Sequence, residues 1–282
     1  MQVNCIKAVY FSATGNTKKI VTSIADVLAR ALNTSLDVRD FTLPQDRKDS
    51  LTFSAGDLVV LGTPVYAGRV PNVLLKYLDT IDGSGALAIP VVTFGNRWYD
   101  DALAELTCLL RNGGLRPVAA GAFVGEHAFS SVLGQGRPDQ ADLLLAARFA
   151  EETARMIATL PEDAPVPMVQ PGRPQMEWVY YQPKDKDGAP IDIRKVKPVV
   201  NESCNHCGLC AAVCPMGSIG PDDVTQYTGI CIKCGACIKK CPQQARDYTD
   251  SGYLYHKTDL EQSLTRRAEP EWFLASPDDG RS

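Results

Sequence analysis

The chain lacks any run of 18 or more apolar residues, so no segment of its sequence can span a bilayer as a helix. It lacks a basic start followed by an apolar stretch. Met1-Gln2-Val3-Asn4-Cys5-Ile6-Lys7 passes directly into a strand pattern, and a cytoplasmic location is the expectation. It lacks an excess of positive charge. Its 29 Lys and Arg against 33 Asp and Glu give a formal charge of −4, which argues against nucleic acid as a partner. Histidine is scarce, with 3 residues, so candidates for proton transfer near neutral pH are few. The first strand–helix junction carries neither Gly-Lys-Ser/Thr nor Gly-x-Gly-x-x-Gly, which removes a Walker loop and a nicotinamide dinucleotide site.

Cysteine, by contrast, is concentrated. Of 10, Cys5 and Cys108 fit packed core thiols, and the other eight form two runs of one pattern. These are Cys204-x-x-Cys207-x-x-Cys210-x-x-x-Cys214-Pro215 and Cys231-x-x-Cys234-x-x-Cys237-x-x-x-Cys241-Pro242. Disulfides do not suit a chain without a secretion signal. Zinc sites use Cys-x-x-Cys pairs but do not call for a third cysteine at the same spacing followed by Cys-Pro. The run is the bacterial signature of iron–sulfur ligation, in which the fourth cysteine of each run serves the other cluster. That rule assigns Cys204, Cys207, Cys210 and Cys241 to one [4Fe–4S] cluster. Cys231, Cys234, Cys237 and Cys214 then hold the second. The fourth cysteine of each run is expected to begin a short helix and point away from its loop. Gly208 and Gly235 sit where backbone must pass close to a cluster.

Residues 1–160 alternate strand and helix signals. Apolar, β-branched runs at Ala8–Phe11, Leu36–Val38, Leu58–Gly62, Leu87–Phe94 and Pro117–Val124 predict five strands. Helical periodicity at Thr17–Leu32, Asn72–Leu78, Asp100–Arg111 and Asp139–Leu160 predicts the helices between them. The expected fold is α/β, a doubly wound five-stranded parallel sheet, with a small α+β unit beyond it. Residues 161–199 are proline-rich and read as a linker or arm. The aromatic cluster Trp178, Val179, Tyr180, Tyr181 suggests that the arm docks on a surface. The cysteine unit spans 200–248, and 249–282 reads as a loosely packed tail.

A second site lies at the carboxyl ends of the strands, where open α/β sheets bind ligands. Ser12, Ala13, Thr14, Gly15, Asn16 and Thr17 place hydroxyls and free amides at a helix start, an arrangement that cradles an anion. Taken alone, it fits a polar helix cap as well. Two more loops, Thr63-Pro64-Val65-Tyr66-Ala67-Gly68 and Thr93-Phe94-Gly95-Asn96-Arg97-Trp98-Tyr99, offer aromatics beside glycines, which suit a planar ring with a polar edge. On these motifs residues 1–160 resemble flavodoxin. The whole chain resembles the flavodoxin–ferredoxin fusion proteins of anaerobes. The resemblance implies that 12–17 hold the phosphate of FMN and that 63–68 and 93–99 flank its ring.

That resemblance points to electron transfer between two [4Fe–4S] clusters and FMN, with a ferredoxin-like or reductase protein as donor or acceptor. Arg69 and Arg97 sit in the ring loops, where each would either approach the flavin or else reach solvent or pair with Asp100 or Asp101. The alternative is a reductase of a small organic substrate, with His127, Arg97 and Arg137 as its candidate groups and His127 as proton donor.

Overall fold

The computed structural model of the chain describes residues 2–160, 166–172 and 177–276. Prolines 161, 165 and 174 of the arm and the last positions of the tail, 277–282, fall outside the described residues. The first part follows the predicted alternation: β1 (Cys5–Tyr10), α1 (Asn16–Ala31), β2 (Ser35–Asp40), β3 (Asp57–Pro64), α2 (Leu75–Leu78), β4 (Leu87–Phe94), α3 (Ala102–Asn112), β5 (Arg116–Pro117), β6 (Ala119–Val124) and α4 (Gln140–Thr159). The strands pair in parallel in the order β2-β1-β3-β4-β6, and β5 runs along β4 beside the start of β6. This is a flavodoxin-like doubly wound sheet.

The central strands are buried on both faces, which is why Leu58–Leu61 and Leu87–Val92 read as unbroken apolar runs rather than alternating ones. On one face α1 and α4 contribute Ile20, Ile24, Leu28, Phe149 and Ile157 to the core. On the other, Leu74 and Leu78 join Leu103, Leu106 and Leu110 of α3. α4 begins in a capping box: the side chain of Asp139 accepts from Asp142 N, and that of Asp142 accepts from Asp139 N. Among the described residues no helix is long and apolar enough to cross a membrane.

The cysteine unit is small: β7 (Val199–Val200), α5 (Leu209–Ala212), α6 (Ala236–Lys239) and β8 (Arg246–Asp247), with β7 and β8 antiparallel. The two short helices correct one expectation. Each contains the third cysteine of its run, Cys210 or Cys237, and the fourth, Cys214 or Cys241, follows the helix instead of starting it. Left-handed Gly208 and Gly235 (both φ 75°) cap these turns, so each helix starts one residue before the third cysteine and ends before the fourth.

The tail differs more. It forms α7 (Ser251–Ser263), started by the Asp250 side chain accepting from Tyr253 N, and then β9 (Glu271–Leu274). β9 pairs antiparallel with β6, Ala119 opposite Leu274 and Gly121 opposite Trp272. The parallel sheet thus ends in a sixth position supplied by residues beyond the cysteine unit. Trp272 packs on Phe149 and donates from Nε1 to Glu152, which anchors the strand.

Candidate functional site

The loop after β1 is built to hold an anion. Gly15 caps α1 at φ 102°, and a side chain added there would meet nothing within 4 Å. Ser12 N donates to Thr42 Oγ1 at 2.8 Å and Ser12 Oγ accepts from Lys18 N at 3.0 Å, which turns the loop over the helix start. Thr17 and Thr93 hydroxyls share a hydrogen bond of 2.6 Å, tying the first loop to the third. Among the described residues, the amides of Ala13, Thr14, Gly15, Asn16 and Thr17 have no protein acceptor. A bundle of free N–H groups at the positive end of a 16-residue helix fits a phosphate. Thr63, in the second loop, keeps a buried hydroxyl without a partner, a polar atom left for a ligand to satisfy.

The 63–68 loop closes as a tight turn. Tyr66 and Arg69 exchange backbone hydrogen bonds of 2.9 and 3.1 Å around left-handed Ala67 and Gly68. Val65 N donates to Thr93 O at 2.9 Å, which places this loop beside the third one. Arg69 does not approach the pocket between the loops: it donates to both carboxylate oxygens of Glu105, at 2.8 and 2.6 Å, and lies between the rings of Trp178 and Tyr180. Arg97 pairs with Asp100 and stacks on Tyr181, 4.0 Å from the ring centre. Both arginines are therefore held by carboxylates and by the arm. Tyr181 N donates to Ala67 O at 2.8 Å and Val179 N to Asp101 at 3.0 Å, so the aromatic cluster docks directly on the two ring loops.

Within the third loop, Trp98 stacks on Tyr99 at 4.9 Å and keeps 42% of its surface exposed. Tyr99 is buried and donates to Glu271, and that burial and contact raise its phenol well above the ordinary value. Asn96 turns inward at φ 66° and donates to the carbonyls of Leu264 and Arg266 at 3.0 and 2.8 Å. Its own carbonyl accepts from Ala268 N at 3.0 Å. Asn96 is thus committed to the tail.

Two of the groups expected to serve a substrate are also committed. Arg137 is buried, bound to Asp142 and donating to Ala268 O at 2.7 Å, so it cannot hold an anion from outside. His127 packs against Gly95, and its Nδ1 accepts from Phe129 N at 3.1 Å. Burial first, then the charges of His256, Lys239 and Arg97, lower it to about 3, so it stays a neutral imidazole at physiological pH. His256, scarcely exposed, packs between Phe129 and Tyr181. His206 is exposed.

The eight clustered cysteines are free thiols around two separate cavities. Cys204, Cys207, Cys210 and Cys241 line the outer one. Cys214, Cys231, Cys234 and Cys237 line the inner one. The partition is crosswise between the runs. The thiols surround space instead of meeting at a point: among the described residues no three His, Cys, Asp or Glu lie close enough to share one ion. Backbone amides already point at sulfur, His206 N to Cys204, Ser218 N to Cys214 and Ala245 N to Cys241, each at 3.4 Å. Burial pushes Cys234 up to about 12 and Cys237 up to about 11. A bound cation of high charge is what deprotonates a coordinating thiol in such a place.

The inner cavity adjoins the ring loops. Cys234 and Ala236 are buried in the same apolar cluster as Phe94, Tyr99 and Val124, with Val65 and Tyr66 packed against it. Burial raises the Tyr66 phenol well above its ordinary value, and the thiols of Cys234 and Cys231 add to that push. Lys239 pairs with Glu126 and donates to Ser130 O at 2.8 Å. Arg47 donates to Phe41 O and Thr42 O on the anion-loop side and to Pro215 O, at 2.6 Å, on the other. The cross-links through Arg47 and Lys239, and the target of Tyr181, have no mark in the sequence, since nothing in the local pattern identifies a tertiary partner.

Residues 8–94 match the family model of the flavodoxin domain, and residues 203–246 that of the 4Fe-4S dicluster domain. The chain therefore joins a flavodoxin domain to an iron–sulfur domain of ferredoxin type. Among solved structures it is similar to a flavodoxin from the domain Archaea, at 16% identity over 55% of this chain and 99% of that one, with a TM-score of 0.37. It is also similar to the Streptococcus pneumonia TIGR4 flavodoxin, at 21% identity over 54% and 99%, with a TM-score of 0.38. A structure described as flavone reductase matches at 10% identity over 55% and 64%, with a TM-score of 0.40. No curated protein matches the chain.

Proposed function

We propose that this chain carries electrons between two [4Fe–4S] clusters and one FMN, all held within one polypeptide. The observation that carries this reading is the contact between the inner cavity and the ring loops through Cys234, Ala236, Val65 and Tyr66. When bound, the clusters supply one-electron chemistry and the flavin supplies one- or two-electron chemistry, so their union couples single-electron carriers to a two-electron centre.

The residues divide the work. Cys204, Cys207, Cys210 and Cys241 hold one cluster where Cys207 is exposed to an outside protein donor or acceptor. Cys214, Cys231, Cys234 and Cys237 hold the other against the flavin loops. The 12–17 loop holds the phosphate of FMN, and the 63–68 and 93–99 loops hold its ring. Tyr66 and the apolar residues around it exclude water from the space between. Lys239, Arg47 and the arm fix the two domains in one arrangement, so transfer inside the chain does not wait for an encounter.

The test is anaerobic purification with iron and flavin analysis, followed by redox titration. About eight irons and one FMN per chain are expected. Colourless protein, or protein carrying zinc, would overturn the reading. Replacing Thr14 and Thr17 together by Ala should weaken FMN by about 1–3 kcal/mol through lost hydrogen bonds to charge, and unchanged affinity would remove the phosphate assignment.

A further inference from the structure

A buried cation lies between the two cysteine-lined cavities. Arg246 keeps 3% of its surface. Its Nη1 donates to the Tyr227 hydroxyl at 3.1 Å, its Nη2 donates to Val224 O, and its Nε is buried without a partner. Arg246 and Val224 line the outer cavity, whereas Tyr227 lines the inner one. The guanidinium also meets the Cys237 side chain of the inner set, so it stands beside both cavities. Among the described residues, no carboxylate pairs with it.

Packing does not demand an arginine here. The cysteine runs repeat with one offset (204 to 231), and the same offset carries Ile219 onto Arg246 and Val200 onto Tyr227. The backbone agrees, since Ile219 bridges to Tyr227 as Arg246 pairs with Val200. Ile219 keeps 4% of its surface exposed and meets the position's packing need with an aliphatic side chain. Burying a guanidinium without a carboxylate is costly unless a negative charge faces it. Thiolates gathered around each cavity, with electrons added to the group they hold, supply that charge. Arginine remains protonated throughout the working pH range, so its contribution is fixed.

We propose that Arg246 sets the reduction potentials of both clusters, favouring an added electron on either and weakening the repulsion between them. This rests on the assignment of the two four-cysteine sets as cluster ligands, so iron is counted first in the unmodified chain. If that chain holds no iron–sulfur clusters, the assignment fails and the role of Arg246 falls with it. Otherwise Arg246→Gln and Arg246→Lys are purified anaerobically, and their potentials are measured by titration with paramagnetic resonance. Gln keeps a donor for Val224 O but no charge, whereas Lys keeps the charge. The expected result for Gln is a fall of at least about tenfold in the reduction equilibrium of both clusters, about 59 mV for a one-electron couple, with iron retained. Lys should stay close to the unmodified values. Unchanged potentials in an iron-replete Gln variant would overturn the proposal, as would a fall in Lys as large as in Gln. If Gln loses iron, Lys decides: full iron at unmodified potentials supports the proposal, and iron loss or lowered potentials overturn it.

Discussion

Moving along the dicluster domain by the repeat offset carries Gly208 onto Gly235, both at φ 75°, and His206 onto Lys233, both at φ 56°. It carries the amide on Cys214 onto the amide on Cys241, both at 3.4 Å. The surroundings then diverge. A side chain at Gly208 would meet nothing within 4 Å, whereas one at Gly235 would lie 2.6 Å from Ala128 O of the flavodoxin domain. Cys207 is exposed and Cys234 is buried. The spacing of glycines and cysteines thus dictates the local loop twice over. What the loop packs against decides whether its cavity faces outward or toward the flavodoxin domain.

The two halves should differ most when their cysteines are removed. Cys231→Ala should reduce iron from about eight to about four per chain, leave FMN bound, and abolish bleaching of the flavin band by a reduced protein donor. Cys204→Ala should cost similar iron but leave the inner cavity able to exchange electrons with the flavin when small mediators replace the protein donor. The reverse pattern would mean that the outer set is the one beside the flavin.

Smaller effects sharpen it. Gly235→Ala should destabilise the chain by about 2–4 kcal/mol, from the left-handed strain plus a clash with backbone. Gly208→Ala should cost only about 1–2 kcal/mol, from the strain alone. Denaturation midpoints that shift equally would show that the domain contact is not tight.

His127, behind the inner side, gives a pH signature. Its folded value of about 3 lies below the ordinary 6.5. Between those values the unfolded chain binds a proton that the folded chain does not, so stability falls as pH drops through that window. His127→Gln should reduce the stability lost from pH 7 to 5 by about 2 kcal/mol. Identical pH slopes in the two proteins would discard the neutral histidine. Lys239→Ala should cost the least, about 1 kcal/mol or less, because its partly exposed pair with Glu126 is screened. A loss several times larger would make that pair the main anchor of the inner half.

The sequence carried the strands and helices of the first domain because each buries a face at its own period. That the eight cysteines gather around two cavities was legible because short spacings alone bring thiols together. The aromatic cluster at 178–181 announced a docked arm but not its target. β9 was hidden, since Glu271–Leu274 is four residues long and takes its meaning from β6, far away in the chain. α7 was hidden too: only Tyr253, His256 and Leu260 are buried along it, too sparse a stripe to mark a helix. Arg246 had no mark in the sequence, because burial between two cavities exists only in three dimensions.

The strand at 271–274 has a further consequence for how the protein can be taken apart. The flavodoxin sheet is finished by residues that are synthesised after the iron–sulfur domain, so that domain is an insertion within the flavodoxin fold more than an appendage to it. A cut in the arm that kept only 1–160 would leave the edge of β6 with bare amides and carbonyls, a template for pairing with another copy. Separate expression of the flavodoxin half therefore requires grafting the last strand back on.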